Sequence, residues 1–308
     1  MDSCQREQLT ALCPSVRWDV DMASHSTFRT GGQAEAMVKV ADVDTLSRLL
    51  QWLQKNRIPW RVIGGGSNIL VTSNYHPGVF IRLSGFVNDI DPVTTGVEGE
   101  SCEVSISAGC SLPALVTWCV RNGLSGLEFM AGIPGSVGGA IRMNAGAFGH
   151  AIGQLLTTVH FVTEAGDKGE VASEQIEFGY RQARFPGEPS SRLLIIGGVF
   201  RFVHANQGAL AARYREIINQ RRRKQPRGYG SAGSFFKNPA GDFAGRLIEQ
   251  AGLKGLTMGK AMVSPVHANF IVNTGGAVPE DIIGLMQEVR NKVQQKLGVL
   301  LEPEVHIF

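Results

Sequence analysis

The sequence predicts an α+β fold arranged in two domains, and three observations lead to this expectation. The chain has 308 residues, more than one compact core usually contains. Many of its 38 glycines lie in loops next to short apolar runs. From about residue 209 the pattern changes to amphipathic helices. We therefore expect an N-terminal segment at 1–25, a domain at 26–205 that splits into two subdomains near 90–100, and a smaller domain at 206–308.

The first apolar patterns predict a β-α-β start. Residues 36–41 and 60–63 have the composition of short strands, and 44–56 places four leucines on one face of a helix. Alternating or apolar runs predict further strands at 103–109, 158–172 and 193–202. The first two-thirds of the chain is therefore expected to mix strands with helices.

The last third is expected to be rich in helix. Residues 209–224 have helical spacing and end before Pro226, which disfavours helix at the residue preceding it. A second helix is predicted at 243–252. A third begins at Pro279, a residue favoured in the first helical turn, and ends at Gly298, a residue favoured just past the last turn.

Composition excludes several classes of protein. Apolar residues make up 43% and charged residues 19% of the chain, which is ordinary for a globular protein. No signal-peptide pattern and no run of about 20 apolar residues occurs, so we expect a cytoplasmic protein without membrane contact. Five cysteines without a C-x-x-C pair are expected to be reduced, and seven scattered histidines predict no metal site. A net charge of +3 does not by itself indicate nucleic-acid binding.

Two glycine-rich loops indicate a ligand. The predicted strand at 60–63 runs into GGGSN at 64–68, where backbone N–H groups can approach an anion closely. Taken alone, this loop is explained slightly better by a plain tight turn. A second segment, GLEFMAGIPGSVGGAIRMNAGAFG at 126–149, has few side chains that can hydrogen-bond, notably those of Ser136, Arg142 and Asn144. Such backbone can lie flat against a large planar or phosphorylated ligand, and the two loops together indicate one.

A basic run, RRRKQPR at 221–227, precedes GYGSAGSFFKNP at 228–239. The run has three interpretations: a solvated helix end, a nucleic-acid patch, or the wall of a diphosphate site. The adjacent loop with Ser234 and Lys237 favours a diphosphate, since a nucleic-acid face normally spreads charge over more elements. The loop spells G-x-G-x-x-G but follows no strand, and no serine lies in G-x-S-x-G, so neither a dinucleotide fingerprint nor a nucleophile elbow is indicated.

Eight motifs in order over residues 26–305 together resemble the UDP-N-acetylenolpyruvoylglucosamine reductases, flavoenzymes that complete UDP-N-acetylmuramate for bacterial peptidoglycan. The motifs are STFRTGG (26–32), GGGSNIL (64–70), the glycine-rich segment at 126–149, YRQARF (180–185), SAGSFFKNP (231–239), AGRLIEQAGLKG (244–255), HANFIVN (267–273) and LEPEV (301–305). The resemblance implies an FAD-binding domain of the vanillyl-alcohol-oxidase type in two subdomains, followed by a smaller α+β substrate-binding domain. It also implies non-covalent FAD, NADPH as hydride donor and UDP-N-acetylglucosamine enolpyruvate as substrate.

The chain is similar to the short form of this family, which lacks an inserted loop bearing a tyrosine, because few residues separate Arg181 from the strand predicted at 193–202. Two positions depart from the family pattern. Ala183 falls where a small polar residue is usual, and Pro265 falls where a basic residue is common.

The resemblance assigns the chemistry to three residues. In this family a hydride from the reduced flavin adds to the vinyl carbon of the substrate and leaves a carbanion at the next carbon. The resemblance implies that Ser234 protonates this carbanion. It implies that Arg181 and Glu304 stabilise the enolate-like negative charge on the substrate carboxylate. The fork of an arginine suits that carboxylate, whereas a glutamate beside it must be protonated or hydrogen-bonded, which burial would favour by raising its pKa. Without the resemblance, a loop serine bonded to backbone and a strand-end salt bridge explain Ser234 and Glu304 better. Glu302 is the alternative carboxylate, but the motif places the role at the second glutamate.

The resemblance also implies binding residues. The FAD is expected on the backbone of Gly64, Gly65, Gly66, Ser67 and Asn68 in the first loop and of Gly135, Ser136, Val137, Gly138 and Gly139 in the second. The substrate diphosphate is expected near Lys224, Arg227, Lys237 and Asn238. No histidine lies in either loop, so covalent flavin attachment is not expected.

Three other functions compete with this interpretation. A flavin oxidase of the same superfamily would consume oxygen, and a non-catalytic flavin or sugar-nucleotide binder would require a broken Arg181, Ser234 and Glu304 set, which is intact. A nucleic-acid-binding protein is disfavoured because no aromatic residues interleave the basic run at 221–227. We expect a monomer.

Overall fold

The computed structural model describes residues 1–72, 74–83, 97–188 and 192–308. The chain forms two compact units, each built from three segments. Unit 1 comprises Met1–Trp18, Ala36–Gly65 and Pro77–Asn219, and unit 2 comprises Asp19–Glu35, Gly66–His76 and Gln220–Phe308. The subdomain split predicted near 90–100 lies largely outside the described residues, and the domain boundaries predicted at 25/26 and 205/206 stay predictions.

The helices of the described chain are α1 (Ser3–Leu12), α2 (Val43–Lys55), α3 (Leu112–Arg121), α4 (Val137–Arg142), α5 (Gln207–Lys224), α6 (Ala244–Gln250) and α7 (Pro279–Leu297). The strands are β1 (Arg17–Asp21), β2 (Gln33–Val40), β3 (Trp60–Val62), β4 (Ile69–Leu70), β5 (Tyr75–Leu83), β6 (Ser101–Ser107), β7 (Leu124–Ser125), β8 (Gly146–Ala147), β9 (His150–Ala151), β10 (Leu156–Thr163), β11 (Lys168–Ala172), β12 (Glu177–Gly179), β13 (Gln182–Arg184), β14 (Leu193–His204), β15 (Thr257–Met258), β16 (Ala261–Val263), β17 (Ile271–Asn273) and β18 (His306–Ile307). Short 3-10 turns occupy Met22–His25, Glu128–Met130, Ile152–Leu155 and Ser173–Gln175.

The helices predicted from apolar spacing and end signals are confirmed to within two residues at each end. The Asp42 carboxylate accepts the Thr45 N–H at 2.7 Å and starts α2. Helix α7 begins at Pro279 as predicted, and Gly298 ends it with a left-handed φ of 72°. The predicted strands at 103–109 and 193–202 correspond to β6 and β14, and the prediction at 158–172 is the hairpin of β10 and β11.

Two sheets carry most of unit 1. One has the strand order β1-β2-β5-β3, with β3 and β5 parallel and Trp60 opposite Val79. The predicted β-α-β start is β2-α2-β3, and β5 lies between its two strands in the sheet. The other sheet is antiparallel with the order β11-β10-β14-β6, and β7 pairs with the end of β14. The buried face of α2 and the aromatic rings of β14 belong to one apolar core.

Unit 2 has its own apolar core around α6 and α7 and a small antiparallel sheet ordered β15-β16-β17. The parallel pair of β4 and β18 places Ile69 opposite His306. The apolar face of α7 is buried along most of its length, and Leu297 near its end is only partly buried. The buried residues of this face are Ile282, Leu285, Met286, Val289 and Val293. No helix among the described residues has the length and apolar character needed to span a bilayer.

All five cysteines are unbridged thiols. Cys4 is exposed and Cys102 is half-buried, whereas Cys13, Cys110 and Cys119 are buried. Burial raises the pKa of Cys13 and of Cys110 to about 11, and it raises the pKa of Cys119 further. These thiols therefore stay protonated near neutral pH and pack as small apolar groups.

We predict that an aromatic disulfide reagent reacts rapidly with one thiol of the native protein, Cys4, because only the thiolate attacks a disulfide and the buried groups are both protonated and inaccessible. Absorbance of the released thiolate measures the number of fast-reacting cysteines. The Cys4→Ser variant should lose the fast phase. A fast phase that survives in this variant would contradict the burial of Cys13, Cys110 and Cys119 or the raised pKa of the half-buried Cys102 thiol.

Candidate active site

Two glycine-rich loops touch each other in unit 1. A Cβ added to Gly65 would lie 2.8 Å from the Cα of Gly135, and a Cβ added to Gly64 would overlap the Ser136 Oγ. Real Cβ atoms do not approach this closely, so glycine at these positions allows the two backbones to meet. Gly65 and Gly139 are exposed at the surface of the unit. The two loops therefore form a glycine-lined cradle with the Ser136 hydroxyl at one edge, which fits the close backbone approach that a flavin nucleotide requires.

The start of α4 is fastened to the strand and loop before α3. The N–H groups of Val137 and Gly138 donate to the carbonyls of Cys110 and Ala108 at 2.9 and 2.8 Å. A Cβ on Gly138 would lie 2.8 Å from that of Ala108. Among the predicted FAD contacts, Val137 and Gly138 thus have N–H groups committed within the protein and contribute shape to the cradle.

The first loop continues into unit 2 at Gly66. Gly66 has a left-handed φ of 67°, and a Cβ there would overlap the His25 carbonyl. The Gly66 carbonyl accepts the Thr27 N–H at 3.0 Å. The neighbouring Ser67 is half-buried. Gly66 is therefore needed for a tight backbone turn, which was the alternative explanation of this loop. Gly64 and Gly65 form the cradle.

Arg181 lies in a strained turn of unit 1. Strands β12 and β13 pair with Gly179 opposite Gln182, so Arg181 is the second of two turn residues, with a φ of 59°. Its Nη1 donates to the Gly146 carbonyl at 3.1 Å, and its guanidinium lies 5.1 Å from the centroid of the Tyr180 ring. A left-handed φ at a non-glycine residue costs about 1–3 kcal/mol and persists where the surrounding structure enforces it, most often at functional sites.

Polar side chains of the second glycine-rich segment hold this region in place. The buried Asn144 donates from Nδ2 to the Gly179 carbonyl at 2.9 Å and accepts the Gly153 N–H at 3.1 Å. Arg142 donates to both Glu188 carboxylate oxygens at 2.8 and 3.0 Å. The sequence identified Asn144 and Arg142 as polar exceptions among glycines, but their partners are set by the fold of the unit.

Ser234 lies at the start of a clamped segment in unit 2. It is half-buried and follows Gly233, whose φ is 78°. The Phe235 N–H donates to the Asn269 carbonyl at 2.7 Å, and the Phe236 N–H donates to the Asn269 Oδ1 at 2.9 Å. Sequence reasoning did not single out Asn269, although an amide beside the apolar residues of HANFIVN was a signal of a buried polar role.

Glu304 lies on the chain stretch next to this segment. Its N–H donates to the Phe235 carbonyl at 2.8 Å, and its own carbonyl accepts the Asn68 Nδ2 at 3.2 Å. The Asn68 carbonyl in turn accepts the His306 N–H at 3.1 Å. The structure thus brings the backbones that carry Ser234 and Glu304 side by side, and it fastens the end of the first glycine loop to the same stretch.

Glu302 and Lys237 form an ion pair between the same two stretches of chain. The Lys237 Nζ lies 2.5 Å from the Glu302 Oε1, and the Lys237 N–H donates to the Glu302 carbonyl at 2.8 Å. The Glu302 side chain is 69% exposed, so this is a surface ion pair. The predicted diphosphate contacts are also engaged: Lys237 with Glu302, and Asn238 through its Oδ1 with the Ala244 N–H at 3.0 Å.

The predicted site residues are divided between the units. Arg181 belongs to unit 1, and Ser234 and Glu304 belong to unit 2. Lys224, the last residue of α5, and Arg227 are exposed in unit 2. The described residues contain no group of three or more side chains that could hold a metal ion.

Two family models match the chain. Residues 34–171 match the model described as an FAD binding domain, which places the protein among the flavin-dependent oxidoreductases. Residues 225–308 match the model described as the C-terminal domain of UDP-N-acetylenolpyruvoylglucosamine reductase. These segments contain the cradle at Gly65 and Gly135 and the paired stretches at Ser234 and Glu304.

Relatives along the whole chain establish the family. The chain is 42% identical to UDP-N-acetylenolpyruvoylglucosamine reductase 2 of Symbiobacterium thermophilum over 95% of this chain and 92% of that protein. It is 38% identical to the Anoxybacillus flavithermus reductase over 100% and 99% of the two chains. The crystal structure of the reductase from Thermus caldophilus superposes with a TM-score of 0.79 at 34% identity, over 95% of this chain and 99% of that chain. The chain belongs to the UDP-N-acetylenolpyruvoylglucosamine reductase family.

These matches confirm the predicted family, the α+β fold with an FAD-binding domain, and FAD as the cofactor. The individual cofactor, substrate and catalytic residues stay predictions.

We predict that Gly65→Val and Gly138→Val each abolish FAD retention while the apoprotein stays folded. A side chain at Gly65 meets the Gly135 backbone and one at Gly138 meets Ala108, so either variant must displace part of the cradle. Flavin absorbance per protein measures retention, and circular dichroism measures folding.

The matched control is Gly139→Ala, because its Cβ would make only an ordinary contact with the Ser136 Oγ at 3.5 Å. Its melting temperature should change little, so any loss of flavin there reports contact with the cofactor itself. Full flavin occupancy in both valine variants would show that FAD does not depend on this cradle.

Proposed function

We propose that this protein reduces UDP-N-acetylglucosamine enolpyruvate to UDP-N-acetylmuramate, with NADPH as hydride donor, as a cytoplasmic monomer in peptidoglycan precursor synthesis. The observation that carries the proposal is the hydrogen bond between the Glu304 N–H and the Phe235 carbonyl. It aligns the stretches that carry the predicted acid and the predicted carboxyl, within the segment that matches the reductase C-terminal domain. Bound FAD would supply the relay of a hydride from NADPH to the vinyl carbon of the substrate.

Arg181 stabilises the negative charge that this chemistry creates on the substrate. Hydride addition to the vinyl carbon leaves an enolate-like anion delocalised into the substrate carboxylate, and groups arranged beforehand to meet that charge stabilise it most. A guanidinium grips a carboxylate with two N–H groups and keeps its proton at any working pH. The strained turn and the Gly146 hydrogen bond support this role, because they restrict where the Arg181 side chain can lie.

Ser234 completes the reduction by supplying the second hydrogen as a proton. The Ser234 O–H bond breaks, a C–H bond forms at the carbon next to the carboxylate, and the serine oxygen regains a proton from solvent. Serine is a weak acid, but a carbanion is a strong base, so the transfer is favourable when the hydroxyl is held in place. Backbone pairing on both sides of Phe235 supports this placement.

Glu304 assists as a carboxyl near the developing anion. A carboxylate there would repel the substrate, so Glu304 must be protonated or hydrogen-bonded when the anion forms. The hydrogen bond from the Glu304 N–H to the Phe235 carbonyl supports the assignment to Glu304, because it holds this residue beside the segment that follows Ser234.

The proposal is tested on anaerobic holoprotein. NADPH should bleach the flavin, and the enolpyruvyl sugar nucleotide should restore its colour with formation of UDP-N-acetylmuramate, identified by mass spectrometry. A protein whose reduced flavin is reoxidised by oxygen but not by this substrate would be an oxidase, and a protein whose flavin NADPH does not reduce would not be this reductase.

We predict that Ser234→Ala separates the two half-reactions. FAD should stay bound and be bleached by NADPH at a near-normal rate, whereas reoxidation by the enolpyruvyl substrate should slow by about 10²- to 10⁴-fold, the usual value of a positioned acid. Stopped-flow absorbance of the flavin measures both steps.

Two further serine variants control this result. Ser234→Cys should recover part of the rate because a thiol also donates a proton, and Ser231→Ala, three residues earlier in the same loop, should be mild. If Ser234→Ala slows both half-reactions equally, or slows neither of them, Ser234 has a structural role and is not the acid.

A further inference from the structure

The segment that begins at Ser234 is clamped by one buried side-chain amide. Asn269 is 3% exposed. Its Oδ1 accepts the Phe236 N–H at 2.9 Å, and its Nδ2 donates to the Phe236 carbonyl at 2.8 Å. Its main-chain carbonyl accepts the Phe235 N–H at 2.7 Å. A single residue thus makes three hydrogen bonds to the two residues that follow Ser234.

The clamp needs both ends of an amide. Phe236 is 1% exposed, so its N–H and carbonyl cannot be satisfied by water and would cost free energy if unpaired. The side-chain amide of Asn269 offers a donor and an acceptor in one planar fork, whereas alanine and leucine offer neither.

Glu304 holds the opposite side of the same segment. The Phe235 carbonyl accepts the Glu304 N–H at 2.8 Å, so Phe235 lies between Asn269 and Glu304. The Phe235 ring packs against Phe28, with ring centroids 6.1 Å apart. On its other flank Ser234 follows Gly233, whose left-handed φ of 78° gives a conformation that most residues avoid. Ser234 is therefore fixed chiefly by what holds Phe235 and Phe236.

We propose that Asn269 is a positioning residue that sets Ser234 against the Glu304 stretch for proton delivery. The inference rests on the proposed role of Ser234 as the acid. Asn269 acts through backbone and needs no contact with substrate. A displacement of about 1 Å in a reacting group can cost about 10²-fold in rate, so loss of the clamp should be visible in the step that Ser234 serves.

Unit 2 offers a matched control in Asn273. This amide is 6% exposed, donates from Nδ2 to the Phe28 carbonyl at 2.9 Å, and accepts the N–H groups of Gly275 and Ala277. Its side chain therefore makes three hydrogen bonds where that of Asn269 makes two, and none of the three goes to Phe235 or Phe236. A purely structural effect of losing a buried amide should be similar in the two variants.

The experiment compares Asn269→Ala with Asn273→Ala in both half-reactions of the holoenzyme. Asn269→Ala should be bleached by NADPH at a near-normal rate and should slow reoxidation by the enolpyruvyl substrate by about 10- to 100-fold. It should also increase the solvent deuterium isotope effect on reoxidation, because proton transfer becomes more rate-limiting. Asn273→Ala should lose comparable thermal stability and keep both the reoxidation rate and the isotope effect.

The double variant with Ser234→Ala gives the decisive comparison. If Asn269 acts only through Ser234, the double variant should reoxidise no more slowly than Ser234→Ala alone. Fully multiplicative losses, equal slowing of both half-reactions, or normal reoxidation in a folded Asn269→Ala variant would overturn the proposal.

Two arms keep the outcome interpretable. If Asn269→Ala does not fold, Asn269→Leu fills a similar volume without either side-chain hydrogen bond, and normal reoxidation in that variant would overturn the proposal. If Ser234→Ala itself reoxidises normally, the failure lies in the assigned role of Ser234, whatever Asn269 does. The two failures are thus distinguishable.

Discussion

The chemistry proposed for unit 2 depends on one short antiparallel pairing between residues 235–237 and 302–304. The Glu304 N–H donates to the Phe235 carbonyl and the Lys237 N–H donates to the Glu302 carbonyl, both at 2.8 Å. Stretches more than sixty positions apart in sequence become neighbours through these bonds. Because buried backbone groups must be paired, the pairing leaves the stretch after Ser234 little freedom. The same pairing brings the Lys237 ammonium to the Glu302 carboxylate.

In unit 1 the corresponding constraint is the absence of side chains. Gly65 and Gly135 meet backbone to backbone, which no other residue type allows at that distance. The cradle so formed is rigid because α4 is fastened through Val137 and Gly138 to carbonyls of neighbouring chain. Arg181 differs from these glycines: it carries a long side chain, yet its backbone has a left-handed φ that glycine would adopt more easily. The presence of arginine rather than glycine at this position agrees with a functional need for the guanidinium.

The sequence predicted elements whose signals are local, and it missed contacts that depend on the folded chain. Helix α7 followed from apolar spacing between Pro279 and Gly298, because a helix is read from residues a few positions apart. Lys237 was predicted to contact a diphosphate, and nothing local indicated its pairing with Glu302 across 65 positions. Asn269 was not singled out from the sequence, because its hydrogen-bond partners, 33 positions away, are determined by the fold.

The measurement that tests the account most directly is the position of deuterium in product formed in heavy water with unlabelled NADPH. The account assigns the hydride to the vinyl carbon and a solvent-derived proton, delivered by Ser234, to the carbon next to the carboxylate. Nuclear magnetic resonance of the UDP-N-acetylmuramate should therefore show deuterium at the carbon beside the carboxylate. The nitrogen-bound hydrogen of a reduced flavin exchanges with solvent, so deuterium in the methyl group does not test the account. Product without deuterium at the carbon beside the carboxylate would contradict it.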